Sequence, residues 1–360
     1  MNISEIVTYT IPPRTRHREE LSVCNVFFAL LVLLIHTIAE PVNSFARDSF
    51  LYFLAVGVWR LSSFVVQGYF FLSGVKLFLG NRKEPVGKFY LGRLRRVVLP
   101  YAAVFCLFTL YFTVVGAVEL TVGGFFSQLF TGKLCGHFYY VILIVQFYLL
   151  MPLWRLIVDK TDPFTGCITS LLLMVLCKQY LPDVISFLIG QPFGDNGLLF
   201  SSYLFYFVAG TYCGLYYDRF RILLDRYRPV FLTTWAILGA VNWIFIWLSG
   251  RGIYYALWLE GFHVLYCIYA ILGCLSLGYL WRERKLFSLI FFRLADKWSY
   301  HVYLLHPLVI FWGDSIFWRI GLTSLSLRFV LRAILVYGSM AGLVWLAGKL
   351  PVRKKKKAEK

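Results

Sequence analysis

The chain has 360 residues, of which 59% are hydrophobic and 19% aromatic, while only 15% are charged. A mean hydropathy of +0.70 excludes a water-soluble protein, because so much apolar surface cannot be hidden in a soluble core. The formal net charge of +18 is divided into short basic clusters between apolar runs, which indicates cytoplasmic loops and argues against nucleic-acid binding.

The eight cysteines lie mostly within apolar runs and show no CxxC pair or metal-ligand spacing. We therefore expect free thiols packed in helices, and no metal site. The N-terminal segment lacks a short apolar stretch followed by a small-residue cleavage site, so no removable signal peptide is expected.

The first long apolar run, residues 23–42, contains His36 as its only imidazole. About 20 residues at ~1.5 Å rise cover the ~30 Å hydrocarbon core of a bilayer, so the run predicts a transmembrane helix. An ionisable side chain inside such a helix is a functional candidate, because its burial in lipid is costly. The alternative is a neutral histidine that only bonds a neighbouring helix.

Nine further apolar runs follow, and the chain predicts an all-α polytopic membrane protein with about ten transmembrane helices. The predicted helices cover residues 23–42, 61–79, 100–116, 138–157, 164–181, 198–217, 230–248, 262–280, 300–318 and 329–350. Most of the 36 Lys and Arg residues fall in the segments that this arrangement leaves inside, which places both termini in the cytoplasm. Residues 1–21 are then a cytoplasmic segment, residues 22–350 the membrane domain, and residues 351–360 a basic cytoplasmic tail.

Two regions flank the second predicted helix. The apolar stretch that starts at Leu51 is interrupted by Trp59 and Arg60, which predicts an interfacial segment before the helix. Lys76 remains inside the helix. Residues 82–96 are expected to form a basic loop, and Pro100 then lies in the first turn of the third helix, where proline is tolerated.

Polar residues of the predicted outer side include His36, His137, Gln146 and Glu260, with Glu40 and His263 beside them. An imidazole with a carboxylate partner suits removal of a proton from a hydroxyl group, because the imidazole titrates near neutral pH. The alternative is that these residues simply meet water or lipid headgroups at the ends of helices.

The predicted inner side carries Lys88, Arg93, Arg95 and Arg96, and we place His306 in the inner third of the ninth helix. Clustered arginines can hold a phosphate-rich ligand by bidentate hydrogen bonds, but they are also common topology signals and anchors for anionic lipids. The pair His306-Pro307 implies a local helix break whose freed backbone groups need partners, which hints at a cavity.

Four motifs in this order resemble the acyltransferase-3 family of membrane proteins. They are LLIH at 33–36, FFLSG at 70–74, K-F-Y-x-x-R-x-x-R-x-x-x-P at 88–100 and S-Y-x-x-Y-L-L-H-P at 299–307. The resemblance covers nearly the whole chain. It implies a ten-helix enzyme with no bound cofactor, which moves an acyl group, typically acetyl from acetyl-CoA as co-substrate, to a hydroxyl group of a cell-surface or lipid-linked glycan. It also implies a multi-pass protein of the cell membrane, which we expect to be the cytoplasmic membrane of a bacterium.

Candidate roles follow from the residues and the resemblance together. We assign catalysis to His36, His137 and Glu260, acyl-donor binding to Asn25, Lys88, Arg93 and Arg96, and motif or cavity positions to Ser73, Gly74, Gln146, Tyr303 and His306. The family commonly has an arginine at the position of Asn25 and an aspartate at that of Ser22. Asn25 keeps hydrogen bonding but lacks the fixed charge, so either another arginine substitutes or the donor differs.

A transporter or exporter of a polysaccharide or lipid-linked sugar is the alternative function. The abundant aromatic residues suit it, because aromatic rings stack on sugars. The two functions differ in whether the protein breaks and forms covalent bonds.

The distribution of Lys and Arg makes the topology testable with cysteines placed in the loops. A membrane-impermeant thiol reagent added to intact cells should label a cysteine at Lys133, which is expected outside, and should not label one at Lys285. Labelling at Lys285 would contradict the ten-helix arrangement.

Overall fold

The computed structural model describes residues 18–79, 84–119, 121–253, 259–284 and 289–349, and these residues form helices and no strands. The helices are α1 (Glu19–Ser44), α2 (Phe50–Ser62), α3 (Val65–Leu79), α4 (Val86–Arg93), α5 (Leu99–Val114), α6 (Val122–Thr131), α7 (Tyr139–Leu149), α8 (Met151–Lys160), α9 (Pro163–Ile189), α10 (Leu204–Leu215), α11 (Tyr217–Arg226), α12 (Arg228–Gly250), α13 (Leu259–Arg284), α14 (Leu289–Arg319) and α15 (Leu325–Lys349). A π-helical turn, Leu94–Val98, joins α4 to α5, and two 3₁₀ turns, Asn196–Leu198 and Phe200–Tyr203, precede α10. The all-α class is confirmed.

Seven helical segments of the described chain are long and apolar enough to cross a membrane, and the pair α7 and α8, bent by 58°, makes an eighth if it is one span. The remaining two predicted spans correspond to α10, which has only 12 residues, and to α14, whose apolar residues are interrupted by Asp296 and His306. The chain is thus a polytopic membrane protein, and the count of ten stays a prediction. The proposed end segments 1–21 and 351–360 lie largely outside the described residues.

The second apolar region differs from its prediction. Helix α2 continues through Arg60, and the break before α3 comes at Ser63 and Phe64. The Arg60 side chain is buried, and its guanidinium donates to Glu260 Oε1 at 3.0 Å and to Asn242 Oδ1 at 3.3 Å. An arginine with these partners does not need the membrane interface. The predicted interruption at Trp59 and Arg60 is therefore wrong, and α2 and α3 together form one candidate span.

The predicted basic loop is wrong in its described part, because Lys88 and Arg93 lie on α4 and Arg96 on the π-helical turn. Pro100 explains the turn. Its ring carries no N–H for the carbonyl of Arg96, four residues earlier, and also crowds that carbonyl. The helical turn there contains one extra residue, so the N–H of Leu99 bonds to the carbonyl of Leu94, five residues earlier, rather than to that of Arg95.

Helix α1 is central, since it contacts α2, α3, α13, α14 and α15. It runs parallel to α14. Asn25 meets Ser299, and eleven residues further along α1 the ring of His36 meets that of His306. Between these levels, Val26, Leu33 and Val302 belong to one buried apolar cluster. The pairing fixes the level at which each polar residue of α14 faces α1.

Helices α3 and α10 approach so closely that their backbones touch. A Cβ atom at Gly74 would lie 2.3 Å from the carbonyl oxygen of Phe207, and one at Gly210 would lie 2.2 Å from that of Phe71. Gly214 meets the carbonyl of Val75 in the same way, at 2.4 Å. The glycine of the FFLSG motif is therefore a packing residue, because only glycine admits this approach between membrane helices.

We expect Gly74→Ala to destabilise the protein by ~1–3 kcal/mol, because the new methyl group meets backbone atoms that cannot rotate away. Thermal unfolding of the purified protein in detergent measures the effect. Gly342→Ala on α15 is the control, since a Cβ there meets nothing within 4 Å. Equal unfolding temperatures for the two variants would contradict the packing role.

Candidate active site

Three imidazoles from three helical regions meet in one cluster. The ring centroid of His36 on α1 lies 4.9 Å from that of His306 on α14 and 6.3 Å from that of His137, just before α7. The rings of His137 and His306 are 5.6 Å apart. The prediction that His306 belongs to the inner side, away from His36, is therefore wrong.

Pro307 determines how His306 is held. Because proline has no N–H, it leaves the carbonyl of Tyr303, four residues earlier, without its helical donor. The Nδ1–H of His306 donates to this carbonyl at 2.8 Å and to that of Val302 at 3.2 Å. The proton is thus on Nδ1, and Nε2 carries a lone pair. His306 is fully buried and its Nε2 has no hydrogen-bond partner, which is uncommon for a buried polar atom and marks a functional candidate.

His137 is held differently, since both of its ring nitrogens have partners. Nε2 donates to the carbonyl of Leu304 at 3.2 Å, and Nδ1 lies 3.2 Å from the Sγ of Cys135, whose S–H donates to it. The hydroxyl group of Tyr303 donates to the backbone carbonyl of His137. His36 is only half-buried and makes no hydrogen bond within the described part of the chain. Of the three imidazoles, His36 and His306 have nitrogens free for a substrate.

A cavity of about 130 Å³ lies on the other side of Tyr303. It is lined by Asn25, Tyr69, Ser73, Tyr140, Ser299, Tyr300 and Tyr303. The ring of Tyr303 lies 5.5 Å from that of His137 and 6.2 Å from that of His306, measured between centroids. The predicted cavity positions Ser73 and Tyr303 thus line one chamber, and the ring of Tyr303 lies between this chamber and the histidine cluster.

The basic run lies beside the same chamber. The guanidinium of Arg93 packs over the ring of Tyr148 at 5.0 Å and over that of Phe89 at 4.9 Å. The hydroxyl of Tyr300, a lining residue, donates to the carbonyl of Val97 at 2.9 Å. Lys88 and Arg96 are exposed. Arg93 is therefore fixed on two aromatic rings, while the other two cations are exposed.

A polar network forms around Asp296, a residue that the sequence analysis missed. Its carboxylate accepts hydrogen bonds from Ser22 Oγ at 2.8 Å and from Asn25 Nδ2 at 2.5 Å. Lys76 Nζ lies 3.5 Å away, and Asn25 also donates to Ser299 Oγ at 2.8 Å. The available signal was a lone acidic residue at the start of an apolar helix, among basic neighbours. The positions that depart from the family pattern, Ser22 and Asn25, both bind this aspartate.

The structure places Glu260 in a separate network with α2 and α12. Its carboxylate binds Arg60, which donates to Asn242 Oδ1, and Asn242 Nδ2 then donates to His263 Nδ1 at 2.9 Å. His263 Nε2 carries the proton as a result and donates to Ser63 Oγ at 3.0 Å. This directional chain holds three helices together and contains no free base.

Two further predicted residues have local partners. Gln146 donates to the carbonyl of Leu198 at 2.8 Å and accepts from the N–H of Phe200 at 3.0 Å, so it fixes the turns before α10. Glu40, one turn beyond His36 on α1, binds Arg328 and Arg332 of α15. Arg332 also binds Asp314 at 2.6 Å. This buried ion-pair group ties α1, α14 and α15 together near the histidines.

Within the described residues, no group of three or more His, Cys, Asp or Glu side chains is arranged to hold a metal ion. The three imidazoles meet ring to ring, and two of the three direct a nitrogen to a backbone carbonyl.

Comparison with known proteins gives a consistent result. A model of the acyltransferase-3 family, described as an acyltransferase domain, matches residues 19–348. The chain is 27% identical over 232 residues to the "Putative membrane-bound acyltransferase YfiQ" of Bacillus subtilis, a match that covers 61% of this chain and 58% of that protein. It is 24% identical over 251 residues to the "Probable poly-beta-1,6-N-acetyl-D-glucosamine export protein" of Staphylococcus aureus, covering 66% of this chain and 65% of that protein. The matches thus span less than two thirds of either relative. No solved structure matches the chain.

Proposed function

The chain belongs to the acyltransferase-3 family of membrane acyltransferases, and from that premise we propose that it moves an acetyl group from cytosolic acetyl-CoA to a hydroxyl group of a glycan. The acceptor is a cell-surface or lipid-linked sugar, and the protein works in the cytoplasmic membrane of a bacterium. The chamber between the basic run and the histidine cluster is where donor and acceptor meet.

One observation carries the proposal: the unprotonated, unpartnered and buried Nε2 of His306 beside the free ring of His36. A hydroxyl group is a poor nucleophile at neutral pH, so O-acylation needs a positioned base. His36 is the base in this proposal, because its ring makes no hydrogen bond within the described residues and lies against that of His306. His306 stabilises the imidazolium that forms on His36, since its ring lies 4.9 Å from that of His36 and its Nε2 has no other partner.

The bond changes follow from this arrangement. The glycan oxygen attacks the thioester carbonyl carbon while His36 takes the hydroxyl proton, and a tetrahedral intermediate forms. Its collapse forms the ester and breaks the carbon–sulfur bond. The proton on His36 then passes to the departing thiolate, which leaves as CoA thiol. Donor phosphates stay at the inner side near Lys88, Arg93 and Arg96, while Asn25 lines the path of the acyl arm.

Export of a glycan is the second candidate function, and the printed name of the Staphylococcus aureus relatives favours it. A chamber of about 130 Å³ is below the ~300–1,000 Å³ range of small-molecule sites, so passage of a polymer needs a much larger rearrangement than passage of an acyl arm. Incubation of the purified protein with radiolabelled acetyl-CoA and candidate glycans separates the functions. Label in the glycan supports transfer, and its absence with every acceptor, together with glycan transport in vesicles, supports export.

We expect His36→Gln to lower turnover by about 10²- to 10⁴-fold, the usual contribution of a general base. Glutamine keeps polarity and approximate size, so the variant should still insert and fold. His301→Gln on α14 is the matched control, because His301 is a half-buried histidine outside the cluster, and it should keep its turnover. Near-normal turnover by a folded His36→Gln protein would remove His36 from the mechanism.

Replacement of both Arg93 and Arg96 by glutamine should raise the KM for acetyl-CoA more than that for the glycan. Lysine at both positions should restore donor binding only in part, because lysine lacks the planar fork and the stacking that Arg93 makes on Tyr148. Arg226→Gln, on the exposed surface of α11, is the control for loss of a basic charge. An unchanged donor KM in the double variant would leave the basic run as a topology signal only.

A further inference from the structure

The inner end of the chamber is closed by a second ring of polar residues, one turn beyond the lining residues on each of three helices. On α3, Lys76 follows Ser73, on α1, Ser22 precedes Asn25, and on α14, Asp296 precedes Ser299 and Tyr300. Residues three or four apart share a helix face. The ion pair of Lys76 with Asp296, together with Ser22, therefore caps the chamber on the side of the basic run.

The two members of this ion pair are held unequally. Asp296 keeps strong hydrogen bonds from Ser22 and Asn25 even without Lys76. Lys76 is 3.5 Å from the carboxylate, and its side chain is 41% exposed. Because an exposed ion pair contributes little stability, Lys76 can exchange this partner for another anion while Asp296 stays satisfied and in place.

The distance from Asn25 to the base suits a CoA donor, and Asn25 Nδ2 donates to Asp296 Oδ1, the same oxygen that Lys76 Nζ approaches. Asn25 and His36 are eleven residues apart on α1, or about 16 Å along the helix. The pantetheine arm, with its two amide bonds, spans about 15 Å by the reach of an extended peptide-like chain. A thioester beside His36 therefore puts the pyrophosphate close to the level of Asn25 and Lys76.

The geometry points to Lys76 as the phosphate ligand nearest the chamber, with Asp296 as its resting counter-ion and as the residue that keeps phosphates out. This inference rests on the proposed use of an acyl-CoA. On donor binding, the ammonium group of Lys76 moves from Asp296 to the pyrophosphate, and the gap between Lys76 and Asp296 then admits the pantetheine arm. The fixed carboxylate of Asp296 repels phosphate, so only the uncharged arm passes it. Lys76 supplies the positive charge that Asn25 cannot supply on α1.

Kinetics with two donors tests this role. Acetyl-CoA carries the phosphates, whereas S-acetylpantetheine is the same arm without them. Lys76→Gln should raise the KM for acetyl-CoA by roughly 10- to 100-fold, the range for one charged hydrogen bond, and should leave the KM for S-acetylpantetheine unchanged. Lys76→Arg should restore the KM for acetyl-CoA. The control is Lys178→Gln on α9, a half-exposed lysine of another helix, and it should change neither KM.

Asp296→Asn distinguishes donor binding from a merely structural ion pair. It removes the resting counter-ion and the repulsion, so the KM for acetyl-CoA should fall or stay the same, opposite in sign to Lys76→Gln. Equal loss of folded protein in both variants, with an unchanged KM for acetyl-CoA in what remains, would overturn the role of Lys76. So would an equal rise in KM for both donors. If the unmodified protein uses neither donor, the proposed function fails instead.

Discussion

The site depends on one unmet backbone carbonyl inside helix α14. Pro307 deprives the carbonyl of Tyr303 of its N–H donor. His306 supplies the missing donor from Nδ1, which fixes its ring and leaves the lone pair on Nε2. The tautomer of His306 thus follows from Pro307, while the predicted helix break is wrong, because α14 continues without interruption from Leu289 to Arg319. The parallel pairing of α14 with α1 then brings the ring of His306 within 4.9 Å of that of His36.

The sequence predicted the helical class and the polytopic membrane character, because these follow from local hydropathy, and its motifs predicted the family. The role of His36 stays a prediction. The sequence placed His306 at the wrong depth because the apolar run starts at residue 300, whereas α14 already starts at Leu289. The parallel packing of α14 against α1 brings the ring of His306 within 4.9 Å of that of His36.

The sequence could not predict which side chains of different helices bind each other. In the sequence, Glu260 cannot be distinguished from a catalytic carboxylate. In the structure it binds Arg60 of α2, and hydrophobic periodicity cannot pair residues that are 200 positions apart in the chain. Asp296 was not predicted, because an acidic residue among basic ones is common near the end of an apolar segment. Only the structure shows that Ser22, Asn25 and Lys76 all bind it. Local rules give each residue its helix face, and only packing decides what that face meets.

The glycine contacts between α3 and α10 have a mechanical consequence. Two helices with touching backbones move as one rigid body, and α3 contributes Tyr69 and Ser73 to the chamber from its opposite face. That wall of the chamber is therefore rigid. A wider chamber then requires movement of the opposite wall, α14, which lacks a main-chain hydrogen bond at Pro307 and bends there at the lowest free-energy cost. In the proposed mechanism, a bend of α14 at Pro307 that admits a donor also displaces the neighbouring His306.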